Sequence, residues 1–415
     1  MGNEWEFETK SIHSGFDQDA KTGATVVPIY ETASFAYDSA AELAEVFEGR
    51  RFGYIYSRIA NPTVTALEQR INALEDGRGA IATASGMAAI ATAIYTLIQP
   101  GAEIVSSSSL FGGTLQLFAE IFAGSGVRIH YVDPSGSRAF REALTPQTAL
   151  IFVETIGNPK LDVPNIREIA AIAQENQVPL VVDSSLTTPY LFQAKECGAH
   201  IVIHSISKYI SGSGHTIGGV CVDLGTYDWS RARAAAVRET ARKAGEYAFL
   251  ARARRQILQN TGSCLSPFNA YLQNLGLETL ALRMEKHCSN ALELAQYLAQ
   301  HSQVTQVIYP GLPDHPDHQV ARRQFGARFG GLIAIRLGSR ERCFQLIKNL
   351  QIAKNLANLG DAKTLVIHPA STIYCNCSAA EQVAAGVYPD LVRISVGIEN
   401  SKDIIKDFEA ALATL

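Results

Sequence analysis

A lysine and an aspartate provide the clearest chemical signal in the sequence. Lys208 and Asp183 each lie at or just beyond the end of a short apolar run that is typical of a β-strand. A lysine amine can bond covalently to an aldehyde, and a carboxylate can keep a pyridine nitrogen protonated so that the ring accepts electrons. The pair therefore predicts a pyridoxal phosphate (PLP) site, in which the hydroxyls of Ser205 and Ser207 donate to the phosphate.

Ordinary structural roles compete with this interpretation. A lysine at the end of a strand is usually a surface residue, and an aspartate there can form a turn or cap a helix. Arg393 lies on the apolar run 391–396, where an unpaired cation is costly. It could form a salt bridge inside the fold or hold a substrate carboxylate with two hydrogen bonds. For Lys208, the neighbouring pattern of residues favours the chemical role.

A second feature suits a phosphate group. Ser85 is a natural N-cap for the long uncharged stretch that follows it. Gly86 has no side chain to block a close approach, so backbone N–H groups at the positive end of the helix could face a phosphate. The glycine-rich run 212–218 has the wrong spacing for a dinucleotide loop. No G-x-S-x-G elbow is present, which disfavours a serine hydrolase.

The elements that must position these residues follow an alternating pattern. Short runs rich in Val and Ile predict strands at 102–106, 128–132, 149–154, 180–183 and 200–205. Helical stretches separate them, and strands that are apolar on both sides indicate a parallel sheet covered by helices. Ligands then bind beyond the carboxyl ends of the strands, which is where Asp183 and Ser205 fall.

Changes in this pattern predict three parts of the chain. Residues 1–60 show little periodicity and are predicted to form an N-terminal arm that packs on a partner. Residues 61–258 are predicted as the large PLP-binding domain, beginning with a helix that Pro62 opens and Gly77 stops. Residues 259–415 are predicted as a smaller C-terminal α+β domain. Its predicted elements are a helix over 266–298 and two strands, 332–337 and 391–396, each followed by a helix.

Bulk composition excludes several classes of protein. The chain has 415 residues, 47% hydrophobic and 18% charged, and a formal net charge of −4. These values are typical of a globular protein and do not favour nucleic-acid binding. The basic run 231–255 predicts a solvated or subunit-facing helix. Residues 79–98 are uncharged but mostly small, which predicts a buried helix rather than a membrane span. Seven scattered cysteines without C-x-x-C, and no H-E-x-x-H pattern, predict a cytoplasmic protein with reduced thiols and no metal site.

Blocks along nearly the whole chain resemble the Cys/Met-metabolism PLP enzymes. This family includes cystathionine γ-synthase, cystathionine γ-lyase, methionine γ-lyase and O-acetylhomoserine sulfhydrylase. Besides the segments around Asp183 and Lys208, the matching blocks are Tyr56-Ser57-Arg58-Ile59-Ala60-Asn61-Pro62-Thr63, Ala84-Ser85-Gly86-Met87, Leu110-Phe111-Gly112-Gly113-Thr114, Glu154-Thr155-Ile156-Gly157-Asn158-Pro159 and Arg393-Ile394-Ser395-Val396-Gly397.

The resemblance implies a fold, an assembly and a set of roles. The fold is α/β, PLP fold type I (aspartate aminotransferase-like), and the assembly is a homotetramer of two dimers with active sites shared between subunits. Lys208 is implied as the Schiff-base lysine and proton carrier, and Asp183 as the partner of the pyridine nitrogen. The other implied roles are phosphate binding by Gly86, Met87, Ser205 and Ser207, contact with the neighbouring subunit's phosphate by Tyr56 and Arg58, ring stacking by Phe111, and binding of the cofactor oxygen and the substrate carboxylate by Asn158 and Arg393.

Within the family, three features most resemble the O-acetylhomoserine sulfhydrylase branch: the runs 266–270 and 358–369, and Gly113. The sequence also departs from the family pattern. Most members have tyrosine in place of Phe111, Asp-Asn-Thr in place of Asp183-Ser184-Ser185, and Thr-His in place of Ile373-Tyr374. These departures bear on the identity of the substrate more than on cofactor binding.

The phenylalanine at position 111 favours one leaving group. Phe111 can stack on the cofactor ring, but it has no hydroxyl with which to protonate a leaving group. A thiolate benefits from a general acid because the pKa of its conjugate acid is about 8.5, whereas the pKa for a carboxylate is about 4. We therefore predict γ-replacement on an O-acyl-L-homoserine, which loses acetate or succinate and gains sulfide or a thiol to give homocysteine or methionine. Tyr56 is a possible substitute acid.

Two other functions stay open at this point. One is a PLP-dependent C–S lyase that acts on methionine, cystathionine or cysteine. The other is a PLP-binding protein without activity, which the intact set of Lys208, Asp183 and Arg393 argues against.

Overall fold

The computed structural model describes residues 5–19 and 22–415. The first part of the chain is built on a sheet of seven strands: β1 (Gly79–Thr83), β2 (Glu103–Ser107), β3 (Arg128–Val132), β4 (Thr148–Glu154), β5 (Leu180–Asp183), β6 (Ile201–His204) and β7 (Gly219–Asp223). Their order in the sheet is β1-β7-β6-β5-β4-β2-β3. Strands β2 to β6 are parallel, and β7 runs antiparallel to both of its neighbours, β1 and β6.

Helices cover both faces of this sheet. They are α1 (Phe7–His13), α2 (Ala40–Phe47), α3 (Pro62–Leu74), α4 (Gly86–Leu97), α5 (Gly112–Gln116), α6 (Ser137–Ala143), α7 (Ile166–Glu175), α8 (Thr188–Leu191), α9 (Ala235–Ala244), α10 (Ala248–Arg252) and α11 (Gln259–Thr261), with π-helical turns at Leu117–Phe122 and Ala253–Leu258. Val181 and Val182, neighbours on β5, belong to two different buried clusters. Alternate residues of a strand point to opposite faces, so both faces of the sheet are packed.

A second sheet lies in the C-terminal part of the chain. Its strands are β8 (Gln306–Ile308), β9 (Leu332–Arg336), β10 (Lys354–Asn355), β11 (Leu365–Ile367) and β12 (Leu391–Ser395), in the order β10-β11-β12-β9-β8. The helices of this part are α12 (Pro267–Glu278), α13 (Leu280–Ala299), α14 (His318–Phe325), α15 (Arg340–Asn349), α16 (Ala379–Ala384) and α17 (Ser401–Leu412).

The α/β class and the mostly parallel sheet are confirmed, while several elements differ from the prediction. Residues 79–98 form a strand and a helix rather than one buried helix, because β1 ends at Thr83 and Ser85 caps the start of α4. The predicted helix over 266–298 is two helices that meet at Thr279. Strands β1, β7, β8, β10 and β11 were not predicted.

The predicted arm over residues 1–60 contains two short helices, and its residues 1–4, 20 and 21 lie outside the described residues. Helix α1 packs on α3 and α12 of the same chain, and the guanidinium of Arg70 donates to the carbonyl of Ser14. Contact of this segment with a partner stays a prediction, as do the three domain boundaries.

Two further observations concern cysteines and membrane crossing. All seven cysteines are free. Within residues 5–19 and 22–415, no helix has both the length and the apolar character that a bilayer crossing requires.

Candidate active site

The carboxyl ends of β4, β5 and β6 open into a cavity of about 510 Å³, which residues 357–359 and β12 border from the second sheet. Nine of the eleven predicted site residues line it: Gly86, Met87, Phe111, Asn158, Asp183, Ser205, Ser207, Lys208 and Arg393. The structure therefore brings together residues that are far apart in the sequence, as the parallel sheet predicts.

Lys208 lies in the turn that follows β6, with its amine inside the cavity. The amine Nζ donates to Oδ1 of Asn358 at 2.7 Å. Burial, together with the positive charge of Arg393, lowers the pKa of Lys208 to about 8. Roughly a tenth of such an amine is neutral at pH 7, against a far smaller fraction for a free lysine. The site therefore favours a nucleophilic, proton-accepting lysine.

Asp183 ends β5 with its carboxylate facing the same cavity. Its Oδ1 accepts a hydrogen bond from the backbone N–H of Ser185 at 2.9 Å. Burial raises the pKa of Asp183, while the hydrogen bond from Ser185 and the charge of His204 act in the opposite direction. A buried carboxylate of this kind suits a cationic partner such as a protonated pyridine nitrogen.

The amino end of α4 has the features that suit a phosphate. Ser85 caps the helix, and its hydroxyl accepts from the backbone N–H of Ala88 at 3.1 Å. A Cβ at Gly86 would lie 2.6 Å from the Cβ of Ser205, so only glycine allows β6 and the helix to approach this closely. Backbone N–H groups of the first turn of a helix lack partners within it and bind anions.

The serines beside Lys208 also hold the surrounding backbone. The hydroxyl of Ser207 accepts from the N–H of Gly218 at 2.9 Å and donates to the carbonyl of Gly218 at 3.1 Å. Its predicted donation to a phosphate would therefore need a rotation of the hydroxyl. The backbone N–H of Ser205 donates to the hydroxyl of Ser185 at 2.6 Å.

These groups fit PLP by their chemistry. The cavity offers a helix amino end for a phosphate, a buried carboxylate for a pyridine nitrogen and an amine of lowered pKa for an aldehyde. Each lies on a different element around the same space.

Arg393 on β12 is a fully buried cation. Its Nη1 donates to Oδ1 of Asn158 at 3.2 Å and its Nη2 to the carbonyl of Asn358 at 2.8 Å. Burial lowers the pKa of Arg393 to about 10. Among the described residues, no carboxylate forms an ion pair with it, and its Nε has no hydrogen-bond partner. The described residues therefore give no support to a salt bridge within the fold, and the guanidinium suits a bound anion.

Phe111 lines the cavity at the start of α5, with 39% of its surface exposed. Its backbone N–H donates to Oε1 of Glu154 at 2.7 Å. A Cβ at Gly113 would lie 2.6 Å from the Phe111 ring, so the glycine leaves room for this ring position. The ring supplies an apolar stacking surface and no proton.

Tyr56 and Arg58 are the two predicted residues that the described cavity does not include. Tyr56 is 43% exposed, and the guanidinium of Arg58 lies over its ring and donates to the carbonyl of Gln259. Within the single chain they therefore remain at the surface.

The sequence did not single out two cavity residues, Asn358 and Glu154, as site residues. Asn358 contacts Lys208 through its side chain and Arg393 through its carbonyl. In the sequence, Asn358 was noted only as the first residue of the run 358–369, one of the features that resemble the O-acetylhomoserine sulfhydrylase branch. Burial and the neighbouring charge of Asp183 raise the pKa of Glu154 well above its usual value. Glu154 was quoted only as part of a matching block.

Comparison with known proteins finds similarity along nearly the whole chain. The profile of one family, described as Cys/Met metabolism PLP-dependent enzyme, matches residues 8–413. The O-acetyl-L-homoserine sulfhydrylase of Leptospira meyeri is 38% identical, over 100% of this chain and 98% of that protein. The homocysteine synthase of Schizosaccharomyces pombe is 40% identical, over 98% of both chains.

A solved structure is similar along the whole chain. It is a putative O-acetylhomoserine (thiol)-lyase from Campylobacter jejuni, with a TM-score of 0.93 and 31% identity over 99% of this chain and 100% of that one. Its crystal structure contains N'-pyridoxyl-lysine-5'-monophosphate.

Proposed function

Because the chain belongs to the family of Cys/Met metabolism PLP-dependent enzymes, we propose that it catalyses γ-replacement on an O-acyl-L-homoserine. The acyl group is acetyl in this proposal, and the incoming nucleophile is sulfide or a small thiol. The products are homocysteine or methionine, together with acetate. The names of the similar proteins from Leptospira meyeri and Schizosaccharomyces pombe support this choice.

One observation carries the preference for an acyl leaving group. The ring of Phe111 lines the cavity, where we propose that it stacks on the cofactor, and the nearby hydroxyl of Tyr374 donates to the carbonyls of Leu110 and Asn158. Burial also raises the pKa of Tyr374. Neither side chain can readily protonate a leaving group, and a carboxylate needs no proton to depart at neutral pH.

The proposed roles follow from the position of each side chain. Bound PLP supplies an electron sink that stabilises negative charge on the carbon atoms of the substrate. Lys208 would bond to the cofactor aldehyde, and its amine, once displaced by the substrate amine, would take the α proton, release it to the cofactor and, neutral again, take a β proton. Asp183 keeps the ring nitrogen protonated. Arg393 and Asn158 hold the substrate carboxylate and orient the carbon chain towards Lys208.

We propose the same assembly and location as the sequence predicts. Tyr56 and Arg58 reach the phosphate of a neighbouring subunit, in a homotetramer of two dimers, and their exposure in the single chain supports this. The segment 1–60 then acts as the arm, 61–258 as the PLP-binding domain and 259–415 as the small domain. Seven free cysteines support a cytoplasmic location.

A substrate panel tests the reaction. Purified holoenzyme with O-acetyl-L-homoserine and sulfide is expected to form homocysteine and acetate at a rate at least about tenfold above 2-oxobutyrate release from methionine or cystathionine, because only a thiolate leaving group needs an acid. Homocysteine is measured with a thiol reagent after chromatography. Rapid 2-oxobutyrate release from methionine, without turnover of O-acetylhomoserine, would establish the lyase instead.

The variant Phe111→Tyr is the matched test of the leaving-group argument. It adds a hydroxyl at the stacking position and is expected to raise 2-oxobutyrate release from cystathionine relative to the parent enzyme, while γ-replacement on O-acetylhomoserine changes little. Equal effects on both reactions would contradict the proposed reason for the preference.

The lowered pKa of Lys208 predicts how cofactor capture depends on pH. Protonation at low pH removes the nucleophile, so the rate of PLP capture by apoenzyme is expected to rise about tenfold from pH 7 to pH 9 and then level off, with a midpoint near 8. Stopped-flow absorbance measures the rate. The reaction of PLP with N-acetyl-lysine serves as the control for titration of PLP itself. A rate that keeps rising beyond pH 10 would contradict a lowered pKa.

A further inference from the structure

A fully buried acid–base pair lies behind Asp183. Glu75 follows the last residue of α3 as its C-cap, and His204 ends β6. The side chains are 0% exposed, and Nε2 of His204 lies 2.5 Å from Oε1 of Glu75. Neither residue lines the cavity, and the proposed reaction uses neither of them.

The hydrogen bonds of His204 fix the proton on one side of its ring. Nδ1 lies 3.2 Å from the carbonyl of Ser184, and a carbonyl only accepts, so Nδ1 carries a hydrogen. Nε2 faces the carboxyl group of Glu75. The second carboxyl oxygen, Oε2, is buried and has no partner among the described residues. A carboxylate in this position, at the negative end of a helix, needs a cation beside it.

Two more carboxyl groups lie on the strands β5 and β4, beside the strand of His204. Asp183 lies one strand away, and it interacts electrostatically with His204. On the other side of Asp183, β4 places Glu154 in register with it, and burial together with the charge of Asp183 raises the pKa of that carboxyl group well above its usual value. Ile203 is the register partner of Asp183, and alternate residues of a strand point to opposite faces, so His204 lies behind the sheet from the Asp183 carboxylate. An imidazolium at 204 would therefore act on Asp183 from the face of the sheet opposite the cavity.

The pair also fixes the backbone that aims Asp183. Ser184 directly follows Asp183, and its N–H donates to the carbonyl of Ile203 at 2.8 Å. Its carbonyl accepts from the His204 ring. The next residue, Ser185, donates to the Asp183 carboxylate and accepts from Ser205. The turn that follows Asp183 is thus tied on both sides to the end of β6.

Stability alone does not explain such a pair. Burying two charged groups carries a large desolvation cost for each ion, and a packed apolar pair of similar volume is often equally stable or more stable. The position of the pair behind Asp183 indicates a functional role that an apolar pair could not perform.

We propose that Glu75 and His204 are positioning residues, which hold an imidazolium behind Asp183 and so keep the Asp183 carboxylate ionised and aimed at the cofactor ring nitrogen. This inference rests on the proposed role of Asp183 and is independent of the substrate. Glu75 sets the charge of His204, and His204 acts on Asp183 through its charge and through the carbonyl of Ser184.

The test compares two buried glutamates of the same helix. Glu75→Gln removes the charge behind Asp183 and keeps the shape of the side chain. Glu68→Gln makes the same change seven residues earlier, where the carboxylate accepts from the N–H of Ala82 and from Arg254 at 2.8 Å each. For both full-length proteins, the dissociation constant of PLP and the ¹⁵N chemical shift of the ring nitrogen of bound ¹⁵N-labelled PLP are measured without substrate.

Glu75→Gln is expected to weaken PLP binding on the order of tenfold and to move the ¹⁵N shift towards that of an unprotonated ring nitrogen. Glu68→Gln is expected to leave both quantities unchanged, even if its thermal stability falls by a similar amount. Glu75→Asp, which keeps the charge, is expected to restore the ¹⁵N shift at least in part. Equal shifts in Glu75→Gln and Glu68→Gln, or no shift in Glu75→Gln, would overturn the inference.

Two further variants keep the test decisive. If Glu75→Gln does not fold, the double variant Glu75→Gln, His204→Gln replaces the pair with two amides that can hydrogen-bond to each other, and the same ¹⁵N result is expected. Asp183→Asn is measured alongside. If it also leaves the ring nitrogen protonated, the proposed role of Asp183 fails and this inference fails with it. If only Asp183→Asn has an effect, the proposed role of Asp183 is retained and the proposed role of Glu75 and His204 is overturned.

Discussion

Replacing Lys208 by alanine is expected to abolish γ-replacement, with a loss of kcat of at least about 10⁴-fold. The proposed role of this side chain combines covalent attachment with two proton transfers, and general acid–base catalysis by one group alone contributes about 10²- to 10⁴-fold. PLP is expected to remain bound through Asp183 and the amino end of α4. The measurements are homocysteine formation and trapping with borohydride, which should no longer attach the cofactor to the chain.

A second lysine provides the control for this variant. Lys348 on α15 is exposed, and Lys348→Ala is expected to retain full activity and a borohydride-trapped adduct on Lys208. A small primary amine added to Lys208→Ala is expected to recover part of the lost rate, because the cavity has room for it. Activity retained in Lys208→Ala would show that a different group performs the chemistry.

Local patterns predicted the strands that lead to the site. The strands at 128–132 and 180–183 have the predicted bounds, because each is a short run containing Val or Ile with a polar residue at its last position or directly after it. The residues at the ends of β5 and β6 were found for the same reason. A strand end is a local feature, and the parallel sheet gathers such ends at one edge.

Features that depend on distant packing were missed. β1 is a run of small residues that continues into α4 without a charge, so periodicity alone did not separate the strand from the helix. Asn358 lies outside the helices and strands, and only the packing of the second sheet against the first brings it to Lys208. The contact between Glu75 and His204 joins residues 129 positions apart, and no local pattern indicates such a pair.

Replacing Arg393 by methionine is expected to separate stability from activity. Methionine fills much of the same space and removes a buried cation that lacks a carboxylate partner among the described residues. Removing an unpaired buried charge is stabilising when the cost of burying it exceeds the loss of its hydrogen bonds. The melting temperature of the apoenzyme is therefore expected to hold or rise. In contrast, kcat/KM for O-acetyl-L-homoserine is expected to fall about 10²- to 10³-fold, since a buried charge pair with the substrate carboxylate is lost.

Arg336 on the adjacent strand β9 is the matched control. Its guanidinium pairs with the carboxylate of Asp390 at 3.0 Å, so Arg336→Met leaves a carboxylate without its partner and is expected to lower the melting temperature while activity per folded enzyme is kept.

Arg393→Met is also expected to raise the pKa of Lys208, because a neighbouring positive charge that lowers it is gone, and the pH midpoint for PLP capture should move upward. A fall in melting temperature with unchanged kcat/KM in Arg393→Met would mean that the arginine is structural. If Arg393 binds the substrate carboxylate, the two variants should differ in opposite ways. Arg393→Met should lose activity without a lower melting temperature, and Arg336→Met should have a lower melting temperature without losing activity.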